Sequence, residues 1–271
     1  MILSDLSEKI DIGLNLKLSY LDEIIKLQPN IGFFEVIAEN LFDQSHALEK
    51  VLKIRQDYPV HLHCVGMNLA GDDSLNVTYL SKISALIEKI EPRIVSDHLC
   101  FQKYNGVSHF DLLPFPLHAS NLEKCVSRLD QIQSFLSHRV FIENLAYYIE
   151  FNTSTISESQ FISTLCKKTG TKILLDLNNI HMNALNHGGK LSDYINEIDP
   201  KLIGQIHIAG GEKVENIWVD THGSLPKKEV VKALSLFELK GLPVCYERDQ
   251  NTPDFIDSVA YLEKLKIDIA V

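Results

Sequence analysis

Two rhythms of apolar residues alternate along this chain: short continuous runs, and longer stretches with a helical period. The short runs are Ile10–Leu16, Gly32–Ile37, Val60–Val65, Arg93–His98, Val140–Asn144, Lys172–Asp176, Gly204–Ile208 and Pro243–Glu247. Most are too continuously apolar for a half-exposed antiparallel sheet, so they read as parallel strands covered by helices. Between them, Leu80, Ile83, Ile87 and Ile90 recur at a 3, 4, 3 spacing that gathers them on one face, and Leu122, Cys125, Val126, Leu129 and Ile132 do the same in the next crossover. A helix over Ser159–Lys168 stops near Gly170, and one over Pro226–Leu239 opens on proline and ends before Gly241. The last helix is expected from near Pro253 to about Leu265. Eight strands with helical crossovers in 271 residues predict one domain over residues 1–271, an α/β chain closed as a (β/α)8 TIM barrel. Two connections exceed plain loops, Phe101–His118 and Ile180–Lys190, and both are expected to shape a substrate site.

Functional groups of such a barrel gather where strands end, and here the strand ends carry a series of ionisable residues. His63, His98, Glu143 and Asp176 close successive runs, with Asn179 three residues after Asp176. His207, Asp220, His222 and Glu247 follow, Asp220 and His222 at an i, i+2 spacing that lets both point the same way. Imidazoles and carboxylates without cysteine form a nitrogen/oxygen set suited to Zn, Mn or Fe rather than to a thiolate-bound structural zinc. Eight such groups exceed the need of one ion, so two or three ions sharing bridging carboxylates are expected. Their charge of about +6, set against about −4 from four carboxylates, leaves positive charge for an anionic ligand. A lone histidine at a strand end is more often a hydrogen-bonded structural residue, but a series at successive strand ends is not a set of independent accidents.

The other candidates are weaker. His61 is expected to face away from His63 and to be structural; His109, His118 and His138 read as loop or surface residues. His181 and His187 are candidates for contact near the site, and Asp97 and Asp249 for orienting a neighbouring imidazole. Glu35 and Asn15 end the first two strands and are candidates for substrate contact.

Composition narrows the class. A net charge of −10 argues against a large nucleic-acid footprint. No apolar run is long enough to span a bilayer, and the first nine residues lack a secretion-signal pattern. Cys64, Cys100, Cys125, Cys166 and Cys245 are scattered, which suits reduced thiols in a cytoplasmic protein.

The blocks Leu-His63-Cys-Val-Gly-Met, Val-Ser-Asp-His98-Leu, Ile-Glu143-Asn-Leu, Leu-Leu-Asp176-Leu-Asn-Asn179, Asn186-His187-Gly, Ile-His207-Ile-Ala-Gly, Asp220-Thr-His222-Gly and Glu247-Arg-Asp249 resemble the MbnB/TglH family over nearly the whole chain. That resemblance implies a TIM barrel holding two or three irons in mixed Fe(II)/Fe(III) states, with O2 as co-substrate. It implies oxidation of cysteine in a ribosomally made precursor peptide, with Glu143 bridging two irons and Asp249 joining it in catalysis. One branch, in methanobactin biosynthesis, forms an oxazolone with an adjacent thioamide on an MbnA-like peptide, as a heterodimer with an MbnC-like partner. The TglH branch instead excises the cysteine β-carbon. The ligand order is also similar to the trinuclear zinc site of endonuclease IV barrels, a phosphoesterase alternative, except that Asn179 stands where that family has histidine. His181 and Arg248 replace a common aromatic and a common tryptophan of the MbnB/TglH pattern, which bears on substrate identity.

Overall fold

The structure, a computed structural model, describes residues 10–270; the stretch read above as lacking a secretion signal lies outside them. Each apolar run coincides with one strand to within a residue or two: β1 (Ile12–Asn15), β2 (Phe33–Ile37), β3 (Val60–His63), β4 (Val95–His98), β5 (Val140–Glu143), β6 (Ile173–Asp176), β7 (Ile203–Ile208) and β8 (Val244–Tyr246). They pair in sequence order, all parallel, and β8 closes on β1 through Gly13↔Cys245. This is the predicted (β/α)8 barrel.

The surrounding helices are α1 (Leu21–Leu27), α2 (Ser45–Ile54), α3 (Val77–Ile90), α4 (Ala119–Leu136), α5 (Glu158–Thr169), α6 (Leu177–His187), α7 (Leu191–Glu197), α8 (Lys228–Ala233) and α9 (Phe255–Ala270). In α3 the apolar stripe buries Leu80, Ile83, Leu86 and Ile90, each such side chain contributing about 1.5–3 kcal/mol. The Asn76 side chain caps this helix by accepting from Tyr79 N. Helix α5 ends on Gly170 in the left-handed region (φ 66°), a conformation glycine adopts without strain.

Three boundaries differ from expectation, the simplest being the last helix, which runs on past Leu265 to Ala270. Ile180–Lys190 is not a long loop: α6 starts directly after Asp176 and runs through most of it. The helix expected over Pro226–Leu239 is only Lys228–Ala233, continued by a 3-10 turn at Leu234–Leu236. The connection after β4 does depart from a plain loop, as an antiparallel hairpin of Phe101–Tyr104 with Val107–Leu113. A second hairpin, Glu212–Val214 with Ile217–Val219, follows β7. It is clamped to α6, where Asn186 donates to Trp218 O and accepts from Trp218 N. None of the described helices is long and apolar enough to cross a membrane.

Candidate metal centre

Strand alternation sends every second side chain into the barrel. At the C-terminal ends of β3, β4 and β5 these are His63, His98 and Glu143, three buried groups whose ligand atoms converge. His63 Nε2 and His98 Nε2 lie 3.4 Å and 3.3 Å from Glu143 Oε2. The second oxygen of Glu143 reaches across the barrel, 3.6 Å from His207 Nδ1, and Glu247 Oε2 lies 3.1 Å from the same nitrogen. Glu143, Asp176, His207 and Glu247 thus form a second convergent group sharing Glu143 with the first. Two ligand atoms about 2.1 Å from one ion stand roughly 3.0–3.4 Å apart at octahedral or tetrahedral angles. The observed spacings, 3.1 to 3.6 Å, overlap that range and exceed it slightly, and Glu143 faces both groups.

Asp220 and His222, from the loop after the second hairpin, complete the wall. His222 Nε2 lies 2.9 Å from Asp220 Oδ1, and its Nδ1 lies 2.7 Å from Asp249 Oδ2. His222 sits at φ 48°, a left-handed conformation uncommon for a non-glycine residue. Asp249 is held from its other oxygen by Lys17, and Asn178 Nδ2 donates to Asp220 Oδ1 at 2.6 Å.

Helix α6 positions Asp176 and Asn179. Asp176 is its N-cap, with Oδ1 accepting from Asn179 N at 2.6 Å, which leaves Oδ2 aimed away from the helix. Asn144 locks that cap: it donates to Asp176 O at 3.0 Å and accepts from Asp176 N at 2.9 Å. Asn179 Nδ2 donates to Asn144 O, leaving its Oδ1 bare.

This donor set fits a cation. Glu143 Oε2, Asp176 Oδ2, Asn179 Oδ1, His207 Nδ1 and His222 Nε2 are all buried and without a hydrogen-bond partner, an arrangement costly unless something compensates it. A cavity of about 310 Å³ opens above them, with His63, His98, Asn179, Asp220, Glu247 and Asp249 in its walls. Electrostatics agree. Burial and the charges of Glu143 and Asp220 push the Asp176 carboxyl well above its ordinary range. Burial would also raise Glu143, but His98, His207 and His63 bring it down to about 2. Burial opposes the charged form of His98, yet Glu143 and Asp97 raise it to about 9.

Beneath the cavity is a polar layer that the sequence reading did not identify. Glu35 and Asn15 are buried there instead of facing substrate. Glu35 Oε1 lies 2.7 Å from His207 Nε2, and Gln205 Nε2 donates to Glu35 Oε2 at 2.5 Å. Gln205 Nε2 also lies 2.9 Å from His207 Nε2, but the charged carboxylate is the nearer and stronger partner. It can only accept, so it draws a proton to Nε2 and leaves Nδ1 for the cavity. His61 does not face away from His63: residues two apart share a strand face. Its Nδ1 lies 2.9 Å from Gln205 Oε1 and its ring stacks on Phe33. Glu35, His207 and Cys245 also converge, but 2.7 Å is too close for two ligands of one ion and fits a shared proton. Gln205 lay two residues before His207, on the same inward face, a signal alternation already contained.

The remaining candidates separate from the site. Asp97 Oδ2 accepts from Gly66 N and Met67 N, stapling the loop after β3, and is 3.8 Å from His98 Nδ1 only through its other oxygen. His181 lies outside the barrel in a cavity with Leu185, Glu229 and Leu236. His187 stacks on Tyr147. His118 caps α4, accepting from Asn121 N, and His109 is exposed.

A closed α/β barrel whose catalytic-face ends gather bare, buried nitrogen and oxygen acceptors defines a candidate multinuclear metal centre. The chain belongs to the family of RiPP precursor modification enzymes MbnB/TglH/ChrH, which it matches over residues 11–268. It is 35% identical over 246 residues to a UPF0276 protein of Acaryochloris marina, covering 90% of this chain and 89% of that one. To a UPF0276 protein of Vibrio parahaemolyticus it is 34% identical over 227 residues, covering 82% and 78%. Among solved structures it is similar in fold to endonuclease IV from Thermus thermophilus, with a TM-score of 0.61 at 11% identity, covering 96% and 98%. It is likewise similar to a 3-keto-D-glucoside 4-epimerase from E. coli, with a TM-score of 0.60 at 15% identity, covering 95% and 99%.

Proposed function

We propose that this chain is an iron- and O2-dependent oxidase that modifies cysteine in a ribosomally made precursor peptide. The observation carrying the reading is the set of bare acceptor atoms sharing Glu143, in a chain of this family. His63, His98 and Glu143 would hold one ion, Glu143, Asp176, His207 and Glu247 a second, and Asn179, Asp220 and His222 a third. Two or three irons in mixed Fe(II)/Fe(III) states would supply the redox chemistry and lower the pKa of a cysteine thiol, with O2 as co-substrate.

The chain's own groups do the rest. Glu143 presents one oxygen to each side and fixes the spacing between the two groups. Asp249, bound to Lys17, keeps the proton of His222 on Nδ1 so that Nε2 stays bare. Glu35 does the same for His207 from below. Tyr147, Tyr148, Ile149 and Leu112 wall the cavity above and limit water around the reacting cysteine. In this reading the cysteine becomes an oxazolone with an adjacent thioamide, as in methanobactin biosynthesis, on an MbnA-like peptide with an MbnC-like partner; β-carbon excision is the second outcome.

The test is metal analysis and Mössbauer spectroscopy of protein made in iron-replete cells, followed by aerobic incubation with cysteine-containing precursor peptides and mass spectrometry. Two or three irons and an oxidised cysteine support the proposal. Stoichiometric zinc with no peptide oxidation, and cleavage of abasic-site DNA, would replace it with the phosphoesterase reading.

A further inference from the structure

Beside the metal cavity lies a smaller chamber of about 120 Å³. Pro114, Leu145, Tyr147 and Ile149 belong to the walls of both, so the two adjoin. Leu99, Phe115, Leu117 and Phe151 make the rest of the chamber largely apolar. Its charged residues are Glu150 and Glu158, and among the described residues no cation lines it. Glu150 is exposed at the rim, where its Oε2 lies 3.6 Å from His187 Nδ1. Glu158 is half-buried, and its Oε1 accepts a long bond from Leu145 N at 3.4 Å. Apolar walls ending in carboxylates match a side chain with an apolar stem and a cationic head.

We propose that this chamber is a subsite for a basic residue, lysine or arginine, of the peptide whose cysteine enters the metal cavity. The inference rests on the peptide reading above. The volume is about four times a water's share of liquid, on the scale of one long side chain. An aliphatic guest would bury the stem but strip water from Glu158 and leave its charge without a counter-ion. A basic guest covers the same walls and supplies the missing cation. Burial pushes the Glu158 carboxyl up to about 7 against bonds from Leu145 N and Tyr194 that lower it, and a cation seated beside it would bring it back down.

The experiment uses the metal-loaded protein, held anaerobic, and fluorescent cysteine peptides. Each position flanking the cysteine is occupied in turn by lysine, norleucine or glutamate, and Kd is read by anisotropy. Norleucine keeps the stem and removes the charge. At one position lysine should bind about tenfold more tightly than norleucine. Glu158→Gln should bring the two together, weakening the lysine peptide and relieving the norleucine peptide of the cost of desolvating a carboxylate. Leu117→Trp, which fills the chamber without touching either carboxylate's charge, should also abolish the preference. Equal or better binding of norleucine at every position overturns the subsite, as does a lysine preference that survives both variants. Peptides that bind without any lysine preference overturn the subsite alone. If no cysteine peptide binds, the peptide reading falls and the subsite with it.

Discussion

Glu35→Gln tests whether the layer beneath the cavity controls metal binding or only fills the barrel. The native carboxylate offers two acceptor oxygens, one 2.7 Å from His207 Nε2 and one accepting from Gln205 Nε2 at 2.5 Å. Glutamine has nearly the same shape but a single oxygen, so two donors compete for it. The stranded donor costs about 1–3 kcal/mol in a site without water. Turning Gln205 does not escape the cost, because its Oε1 already faces His61 Nδ1 at 2.9 Å. The cheapest relief is for His207 to release its Nε2 proton and hold on to one at Nδ1, the nitrogen that faces Glu143 and Glu247. A proton there blocks an ion, so the cost appears as lost affinity: about 10- to 100-fold, or roughly 1.4–2.7 kcal/mol. Competition against a chromophoric chelator, with zinc and anaerobic Fe(II), measures the affinity, and thermal unfolding of the metal-free protein measures the fold. Affinity within twofold of the parent, with a lowered Tm of the metal-free protein, would refute the reasoning and leave Glu35 a packing residue.

Three further outcomes follow from the same geometry. Asn179→Ala removes a bare amide oxygen without disturbing the Asp176 cap, whose bond is to the Asn179 backbone; metal stoichiometry should lose the third ion and keep the first two, and loss of all metal would contradict the assignment. Asn144→Ala deletes both bonds that lock the Asp176 backbone, which should cost about 3 kcal/mol and lower Tm by roughly 6–12 °C in a calorimetric scan. Metal uptake should release protons at pH 7.5, because His98 is raised to about 9 and holds a proton that an ion must displace, and the upward shift of Asp176 acts in the same direction. Apparent affinity should therefore fall as pH drops from 9 to 6; calorimetry in two buffers of different ionisation enthalpy counts the protons, and a pH-independent affinity would contradict the sign.

The barrel was legible because parallel strands covered on both sides must be continuously apolar, and most of these runs carried at or near their end a group whose polarity broke the pattern. The candidate ligands were legible for the same reason: His63, His98, Glu143, Asp176 and His207 each stand at the last residue or two of a strand. What was not legible is how far below the mouth the polar layer extends. Glu35 looked like a strand-end acid facing substrate, but its pairing with His61 across β2 and β3 sets it one layer deeper. Helix α6 was misread because Asp176 serves as both strand end and helix cap, so no loop separates the two elements to mark the boundary. The hairpins were hidden because their strands are short and half-exposed, and their position depends on contacts such as Asn186 with Trp218 that lie far apart in sequence.

On the metal reading proposed above, the buried charges also decide how the barrel and its ions depend on each other. In the metal-free protein the cluster balances its carboxylates with protons: His98, His207 and His222 are held charged by the acids around them against the cost of burial. Protons satisfy single atoms, whereas an ion satisfies several at once, and Asp176 Oδ2, Asn179 Oδ1 and Glu143 Oε2 have no hydrogen bond without one. Loading must therefore stabilise the fold as well as arm the site, by an amount that grows with free ion over Kd and reaches about 4 kcal/mol at a thousandfold excess. That linkage sets an order among the ions. The group at His63, His98 and Glu143 is already drawn together by ion-pair contacts on one oxygen, while the position at Asn179 rests on a neutral amide and a strained His222 loop. The first should fill before the third, and a chelator titration followed by unfolding should show two steps in Tm, the larger belonging to the ions that share Glu143; a single step with all ions lost together would make the cluster one cooperative unit instead.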